Sequence, residues 1–166
     1  MDAKEAERAK DQARSQLETI VDMVKRLEHC QGCKGGQDCD LTSAGIYAGL
    51  NLYYKEGDKA TEEEREKYHN EEDARQHIQE NPLSVEVRTD WHQPGAEDDK
   101  PTVYTILLCT GGPACRIIGD LDEYAQPDTA HLEYQDWFTP WEEYHQLNDE
   151  EEETLLSYAR QFYFGE

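Results

Sequence analysis

Two blocks that favour β-structure lie in or beside residues 104–121, the most apolar segment of the chain, in which polar and turn residues interrupt the apolar ones. Residues 103–108 form the first block, residues 115–118 form the second, and a Thr-Gly-Gly-Pro turn segment at 110–113 lies between them. Glycine adopts the positive φ angles that a tight reversal needs, and proline fixes its own φ and has no amide hydrogen to donate. The pattern therefore predicts a central β-hairpin.

Two further segments alternate apolar with polar residues. Leu83, Val85 and Val87 alternate in the first segment, and residues 131–137 alternate in the second. A period of two is typical of strands with one buried face, and hairpin-length links between four such strands indicate an antiparallel meander. The predicted fold class is α+β: a four-stranded antiparallel sheet that is covered by a C-terminal helix and preceded by an N-terminal helical extension.

Residues 2–28 are rich in strong helix formers and predict one long helix. Before Leu17 the non-polar residues of this segment are alanines, so its first three turns are expected to project into solvent or to contact a partner chain. Further on, apolar residues recur at i, i+3, i+4, i+7 and i+10, which predicts either a buried stripe or the face of a homodimer. The members of this stripe are Leu17, Ile20, Val21, Val24 and Leu27.

Two more helices are predicted in the middle of the chain. Residues 41–54 are apolar and aromatic at helical spacing, which predicts a short helix on the first one. Thr61 and Glu64 have the spacing of a capping box, in which each side chain binds the other residue's amide. A helix is therefore expected from Thr61 to Glu80, ending before a proline.

A last helix is predicted after Asn148. This residue type is a strong N-cap, and the acidic residues 149–153 that follow suit the positive end of the helix dipole. The chain is accordingly divided into a helical region at 1–81, with a cysteine-rich loop at 29–39, and a region at 82–166 that holds the sheet and the last helix.

The charge of the chain bears on its function rather than on its fold. The chain has 38 acidic and 16 basic residues, a net charge of -22. Residues 1–80 contain 19 acids and 12 bases, whereas residues 81–166 contain 19 acids and 4 bases, a net charge of -15. Such a surface repels nucleic acid and anionic membranes and attracts basic surfaces. The expected partner is a basic nucleic-acid-binding protein or nuclease complex, with no direct binding to nucleic acid or to a membrane.

The first 19 residues are charged, and no apolar run reaches 18 residues. A secretory signal peptide needs an apolar segment, and a membrane-spanning helix needs a longer one. The protein is therefore expected to be soluble and to lie in the cytoplasm of a host cell.

The five cysteines favour reduced thiols or a metal site over a set of disulfides, because their number is odd and the expected compartment is reducing. Zinc binds tetrahedrally to thiolates and imidazoles, and two cysteines three positions apart on a turn suit such a site. Cys109 and Cys115 are alternative ligands, and a loop of free cysteines is the alternative to a metal. The predicted zinc ligands are Cys30, Cys33, Cys39 and His29.

No residue spacing matches a catalytic motif, so an enzyme is not predicted. A small enzyme with Cys109 as a nucleophile beside His131 stays as an alternative. Cys109 and Cys115 are also candidate partners across the central turn.

Four distinctive segments lie in the C-terminal half: 82–88 (PLSVEVR), 106–114 (ILLCTGGPA), 133–137 (EYQDW) and 159–166 (ARQFYFGE). They resemble a family of small phage- and prophage-encoded proteins. The resemblance covers about half of the chain, brings no catalytic residues with it and implies an origin in a mobile element. Acidic accessory proteins of such elements are similar in character to anti-CRISPR and antirestriction inhibitors.

The leading hypothesis is a phage-encoded inhibitor of a host defence nuclease complex, acting as an acidic nucleic-acid mimic on a basic channel. Carboxylates on rigid helices and strands can reproduce the charge spacing of duplex DNA, about 1.7 Å of axis per charge. The alternative is a zinc-stabilised protein–protein adaptor. The predicted partner-binding residues are Glu150, Glu151, Glu152, Glu153, Glu142, Glu143, Asp120, Asp122 and Glu123.

Overall fold

The computed structural model describes residues 3–32, 63, 69–91, 93–94, 100–137 and 139–165. In these residues the chain forms three helices and one antiparallel sheet with the strand order β1-β2-β3-β4-β5. The α+β class and the antiparallel meander are confirmed. The strands are β1 Ser84–Thr89, β2 Pro101–Cys109, β3 Ala114–Asp120, β4 His131–Gln135 and β5 Glu142–Glu143, and the helices are α1 Ala3–Gly32, α2 Glu71–Glu80 and α3 Asp149–Ala159.

The predicted strand number of four is wrong, because a fifth strand pairs with β4. Glu143 lies opposite Glu133, and Glu142 lies opposite Tyr134. Tyr144 continues this pairing, since its amide donates to the Leu132 carbonyl at 2.8 Å. Two consecutive glutamates have low strand propensity and no alternation. The sequence therefore gives no local signal for β5.

The central hairpin forms as predicted. β2 and β3 pair in antiparallel register, and the turn between them contains Gly111 at φ 120° and Gly112 at φ 113°. On one face of the sheet the side chains are buried under the helices, and this surface is called the helix face. Its buried members include Tyr104, Ile106, Cys115, Ile117 and Leu132.

Helix α1 is part of the core rather than an extension. The predicted stripe is confirmed, because four of its members are buried and Val21 packs against them. Ala9 and Ala13 are also buried, so the expectation that the first three turns project into solvent is wrong. Alanine leaves room for a close approach between helix and neighbour, which polarity alone does not reveal. Charged residues recur along α1, and no helix among the described residues is long and apolar enough to cross a membrane.

The predicted helix from Thr61 to Glu80 is not continuous. Residues 69–70 are not helical, and Asn70 has extended backbone angles and accepts hydrogen bonds from the amides of Glu72 and Asp73 at 3.0 and 3.3 Å. Asn70 is therefore the N-cap from which α2 begins. Thr61, Glu64 and the predicted helix at 41–54 lie outside the described residues.

Helix α2 is joined to α1 by an ion pair. Arg26 of α1 is 2% exposed, and its Nη2 donates to Oδ2 of Asp73 in the first turn of α2. Burying a guanidinium is costly unless a charged acceptor meets it. The Asp73 carboxylate therefore helps to hold α2 on α1.

We expect Asp73→Asn to lower the free energy of unfolding by about 1–2 kcal/mol, because the charged acceptor of Arg26 is lost. This value is below the 3–5 kcal/mol typical of fully buried pairs, because the Asp73 side chain is 56% exposed. Urea unfolding measures the change. Glu72→Gln is the matched control in the same helical turn and should cost less than about 0.5 kcal/mol. Equal losses in the two variants would show that Asp73 acts only through the helix dipole.

Candidate functional site

The nine predicted partner-binding acids lie in three places. Asp120 ends β3, with Asp122 and Glu123 in the loop that follows. Glu142 and Glu143 form β5, and residues 150–153 lie in the first turns of α3. Eight of the nine are exposed, and Glu151 is the exception.

Glu151 has a structural role. It forms a capping box with Asn148: its amide donates to Asn148 Oδ1 at 2.9 Å, and its Oε2 accepts from the Asn148 amide at 3.0 Å. Its other oxygen, Oε1, accepts from Nη1 of Arg14 on α1 at 2.7 Å. The side chain is only 12% exposed. Glu151 therefore fixes the start of α3, and its carboxylate is already engaged within the chain.

Arg14 also brings β5 close to the start of α3. Besides Glu151 it contacts the side chain of Tyr144, the residue that directly follows β5. The exposed carboxylates of β5 and those of α3 thus lie on either side of Arg14. We call this surface the acidic end, and its members are Glu142, Glu143, Glu150, Glu152 and Glu153.

The two carboxylates of β5 are oriented by hydrogen bonds on opposite faces of the sheet. The Tyr134 hydroxyl donates to Glu142 Oε2 at 3.2 Å. Burial raises the pKa of Tyr134 and the nearby Glu142 carboxylate raises it further, so the hydroxyl stays protonated and donates. Glu143 lies between two imidazoles, with His131 Nδ1 at 2.9 Å and His145 Nδ1 at 3.9 Å.

The remaining acids form a second group, the acidic loop, which consists of Asp120, Asp122 and Glu123. Asp122 Oδ1 accepts from the amides of Tyr124 and Gln126 at 2.8 and 2.9 Å, which folds the loop into a tight turn. The loop is tied to the end of α3, because Arg160 Nε donates to the Pro127 carbonyl at 3.2 Å.

The structure therefore divides the predicted acids into two groups. The acidic loop lies beside the C-terminal end of α3, whereas most of the acidic end lies around its N-terminus. A helix of 11 residues is about 16 Å long. This length separates the two ends of α3, near which the two groups lie.

Basic residues do little to neutralise this half of the chain. Residues 101–165 contain 13 acids and two bases, Arg116 and Arg160. Arg116 donates to Glu133 at 2.8 Å and lies over the Trp141 ring at 4.1 Å. Arg160 is bound to the Pro127 carbonyl. Both arginines are therefore engaged, whereas Lys100, directly before this range, lines a pocket with Asp122 and Glu123 of the acidic loop.

The predicted zinc ligands are only partly described. Cys30 lies within α1 and is buried in the core, so the predicted helix end at residue 28 is wrong. The ring of His29 lies edge-on to that of His69, with centroids 5.7 Å apart. Cys33 and Cys39 lie outside the described residues. Among those that are described, no three His, Cys, Asp or Glu side chains form a group suited to a metal ion, and zinc stays a prediction.

Cys109 and His131 do not form a nucleophile–base pair. Cys109 lies opposite Cys115 and its Sγ is 3.9 Å from Nε2 of Gln12 on α1, which places it on the helix face. His131 lies opposite Ile118 and faces Glu143 on the other side of the sheet. The two β3 positions are three residues apart, about 10 Å along the strand. The arrangement expected for a Cys/His enzyme is therefore absent from these two residues.

The sequence did not indicate that two apolar features of the structure are exposed. Val85 and Val87 point to the helix side of the sheet at its β1 edge, yet they are 37% and 49% exposed. The helices pack mainly on β3 and β4. The alternation of apolar residues therefore predicted strand β1 correctly, but the apolar side chains of this strand are exposed rather than buried. Trp137 is 63% exposed and lies against Gly112 in the central turn.

This turn and the segment after β4 enclose a cleft of about 190 Å³. Its walls are the backbone of the central turn on one side and the indole of Trp137 on the other. The lining residues are Thr110, Gly111, Gly112, Ala114, Gln135, Asp136 and Trp137.

Comparison of the chain with protein-family models, with curated proteins and with solved structures gives no match. The resemblance of the C-terminal segments to small phage and prophage proteins stays a prediction. No residue role is transferred to this chain from another protein.

Two glycines of the central turn give a paired test of this local geometry. An added Cβ at Gly112 would lie 1.7 Å from Trp137 Nε1, whereas one at Gly111 would meet no atom within 4 Å. Both residues have positive φ. We expect Gly111→Ala to cost about 1–2 kcal/mol from backbone strain, and Gly112→Ala to cost about 1–3 kcal/mol more from the overlap.

Urea unfolding of both variants measures this difference, and Trp137→Ala provides the control. In the Trp137→Ala background, the extra cost of Gly112→Ala over Gly111→Ala should disappear. An extra cost that persists without the indole would contradict the described position of Trp137.

Proposed function

We propose that this chain is an inhibitory binding protein that occupies the basic nucleic-acid channel of a host defence nuclease complex, in the manner of anti-CRISPR or antirestriction proteins. The observation that carries the proposal is the acidic end together with the acidic loop: eight exposed carboxylates on a folded scaffold. Nearby, Arg14, Arg116 and Arg160 bind groups other than these eight, and Lys100 lies beside the acidic loop. The proposal requires no catalytic group.

The charge density at the start of α3 supports this proposal. Asp149, Glu150, Glu152 and Glu153 are exposed. A helix rises about 1.5 Å per residue, so these four charges span about 6 Å of axis. Their density, about 1.5–2 Å per charge, is close to the value of about 1.7 Å for duplex DNA. The helix dipole adds about half a positive charge at this end and does not cancel four carboxylates.

The fixed position of the acids is a second support. Asn148, Arg14 and Tyr144 hold the start of α3 beside β5, and Asp122 and Arg160 hold the acidic loop. Side chains on an ordered scaffold lose less conformational entropy on binding than those of a flexible tail. A rigid acidic surface therefore competes better with nucleic acid than a disordered acidic segment of equal charge.

The acidic end and the acidic loop are expected to contribute independently to binding. They lie near opposite ends of α3, which is about 16 Å long, twice the Debye length of about 8 Å at physiological salt. Each group therefore acts on its own region of the partner, and removing both should weaken binding by the product of the two separate effects.

A protein–protein adaptor is the second candidate function. Val85 and Val87, with Leu83 before them, form an exposed apolar row on the edge strand β1. Unpaired edge strands with apolar side chains add strands from other proteins. Binding through this edge would depend on apolar contact, so its affinity would change little with salt concentration. This difference distinguishes the adaptor from the first proposal.

The first experiment is a pull-down from host lysate with the wild-type chain, treated with nuclease so that nucleic acid does not bridge proteins. We expect to recover a DNA- or RNA-binding effector whose affinity falls by about tenfold or more between 50 and 200 mM salt. Recovery of only neutral or acidic partners, at an affinity that salt does not change, would overturn the proposal.

The second experiment uses the recovered partner and two charge-matched triple variants. Glu150→Gln/Glu152→Gln/Glu153→Gln should weaken binding by about tenfold or more and reduce the salt dependence, because three ionic contacts are lost. Glu7→Gln/Glu28→Gln/Glu72→Gln removes equal charge from exposed positions of α1 and α2 and should change affinity by less than about threefold.

Equal weakening by both triple variants would show that only net charge matters and would contradict the assigned surface. Loss of binding in Val85→Ser/Val87→Ser, with no effect of either triple variant, would favour the adaptor. Glu151 is kept in all variants because it caps α3.

A further inference from the structure

Cys109 and Cys115 lie directly opposite each other on the central hairpin. The register of β2 and β3 pairs Leu107 with Arg116 and then Cys109 with Cys115, so Leu108 is an extra residue in β2. Such a bulge rotates the residues beyond it relative to the sheet. As a result Cys109 faces α1 on the same side as the buried Cys115.

The spacing of this pair suits a disulfide. Opposite residues in antiparallel strands have Cα atoms about 4.5–5.5 Å apart, and disulfides join Cα atoms about 4.4–6.8 Å apart. The Cys109 thiol already points across the turn. Its Sγ lies 3.9 Å from the Pro113 carbonyl oxygen and also forms a hydrogen bond with the Cys115 backbone. Little backbone movement is needed to join the two sulfurs.

The two thiols also differ in access. Cys109 is partly exposed and Cys115 is fully buried. A reagent in solution therefore reaches the sulfur of Cys109, whereas only a neighbouring sulfur reaches that of Cys115. This arrangement is that of an attacking cysteine with a resolving cysteine beside it.

We propose that Cys109 and Cys115 are a dithiol site that small-molecule disulfides oxidise to an intramolecular cross-strand disulfide. The Cys109 thiolate attacks one sulfur of the reagent, whose S–S bond breaks to release one thiol. Cys115 then loses its proton, its sulfur attacks the Cys109 sulfur, and the second reagent thiol leaves. The protein loses two protons and two electrons, and the reagent disulfide is reduced to two thiols.

The thiol environment sets the rate of this reaction and its dependence on pH. Burial raises the pKa of Cys109 and outweighs its hydrogen bonds to Gln12 and Cys115, and burial raises the pKa of Cys115 well above its usual range. Few thiolates exist at neutral pH, so oxidation is slow and accelerates as pH rises.

The disulfide would close the central turn beside the cleft. Residues 110–114 lie between the two cysteines, and Gly111 and Gly112 of this segment line one wall of the cleft. Oxidation would fix this wall relative to Trp137 without moving the acidic end, which lies beyond β4.

The test uses the folded wild-type chain with oxidised glutathione as the probe. After reaction, remaining thiols are alkylated and the chain is digested with trypsin without reductant. The tryptic peptide that ends at Arg116 contains Cys109 and Cys115 and none of the other three cysteines. We expect this peptide to lose the mass of two hydrogen atoms, with a rate about tenfold higher at pH 8 than at pH 7.

Cys109→Ser should leave Cys115 unmodified, because the buried sulfur does not meet the reagent. Cys115→Ala should leave a stable glutathione adduct on Cys109, because no second sulfur resolves it. The proposal is overturned if the wild-type peptide keeps a glutathione adduct, or if both of its thiols are still alkylated at about pH 9 after a reaction time about a hundredfold longer than a free cysteine needs.

Discussion

The buried face of α1 holds the sheet and the other described helices together. Leu17, Ile20 and Val24 pack in one core with Tyr104 and Ile106 of β2. Each large apolar side chain buried in this way contributes about 1.5–3 kcal/mol. Both other helices of the described residues are attached to α1, α2 through its pair with Arg26 and α3 through its pair with Arg14. The position of the acidic end therefore follows from the packing of α1.

Sequence reasoning predicted the elements that carry local signals. The glycines of the central turn, the alternation of β1 and β4, and the N-cap Asn148 are such signals, and each element formed. Strand β5 was missed because its pairing is decided by the turn after β4 rather than by its two glutamates. The start of α2 was missed because a capping box at Thr61 competed with Asn70, whose acidic neighbours give an equally good signal.

The acidic residues of the candidate site could be predicted from the sequence, but their arrangement in space could not. Acidic residues are visible in the sequence, but their division into the acidic end and the acidic loop depends on where α3 packs. Glu150 and Glu151 look equivalent along the chain, yet one is exposed and the other closes a capping box and binds Arg14. The opposed cysteines were predicted as candidate partners, whereas the bulge at Leu108 that turns them to one face required the structure.

Amide hydrogen exchange along the chain tests most directly whether α1 is the shared core on which the acidic surface is mounted. If it is, amides of Leu17 and Ile20 in α1, of Ile106 in β2 and of Leu155 in α3 exchange through one opening, with the same free energy and the same urea dependence. Exchange of the α1 amides at a free energy lower by about 3 kcal/mol or more, while β2 stays protected, would show instead that α1 is a detachable extension.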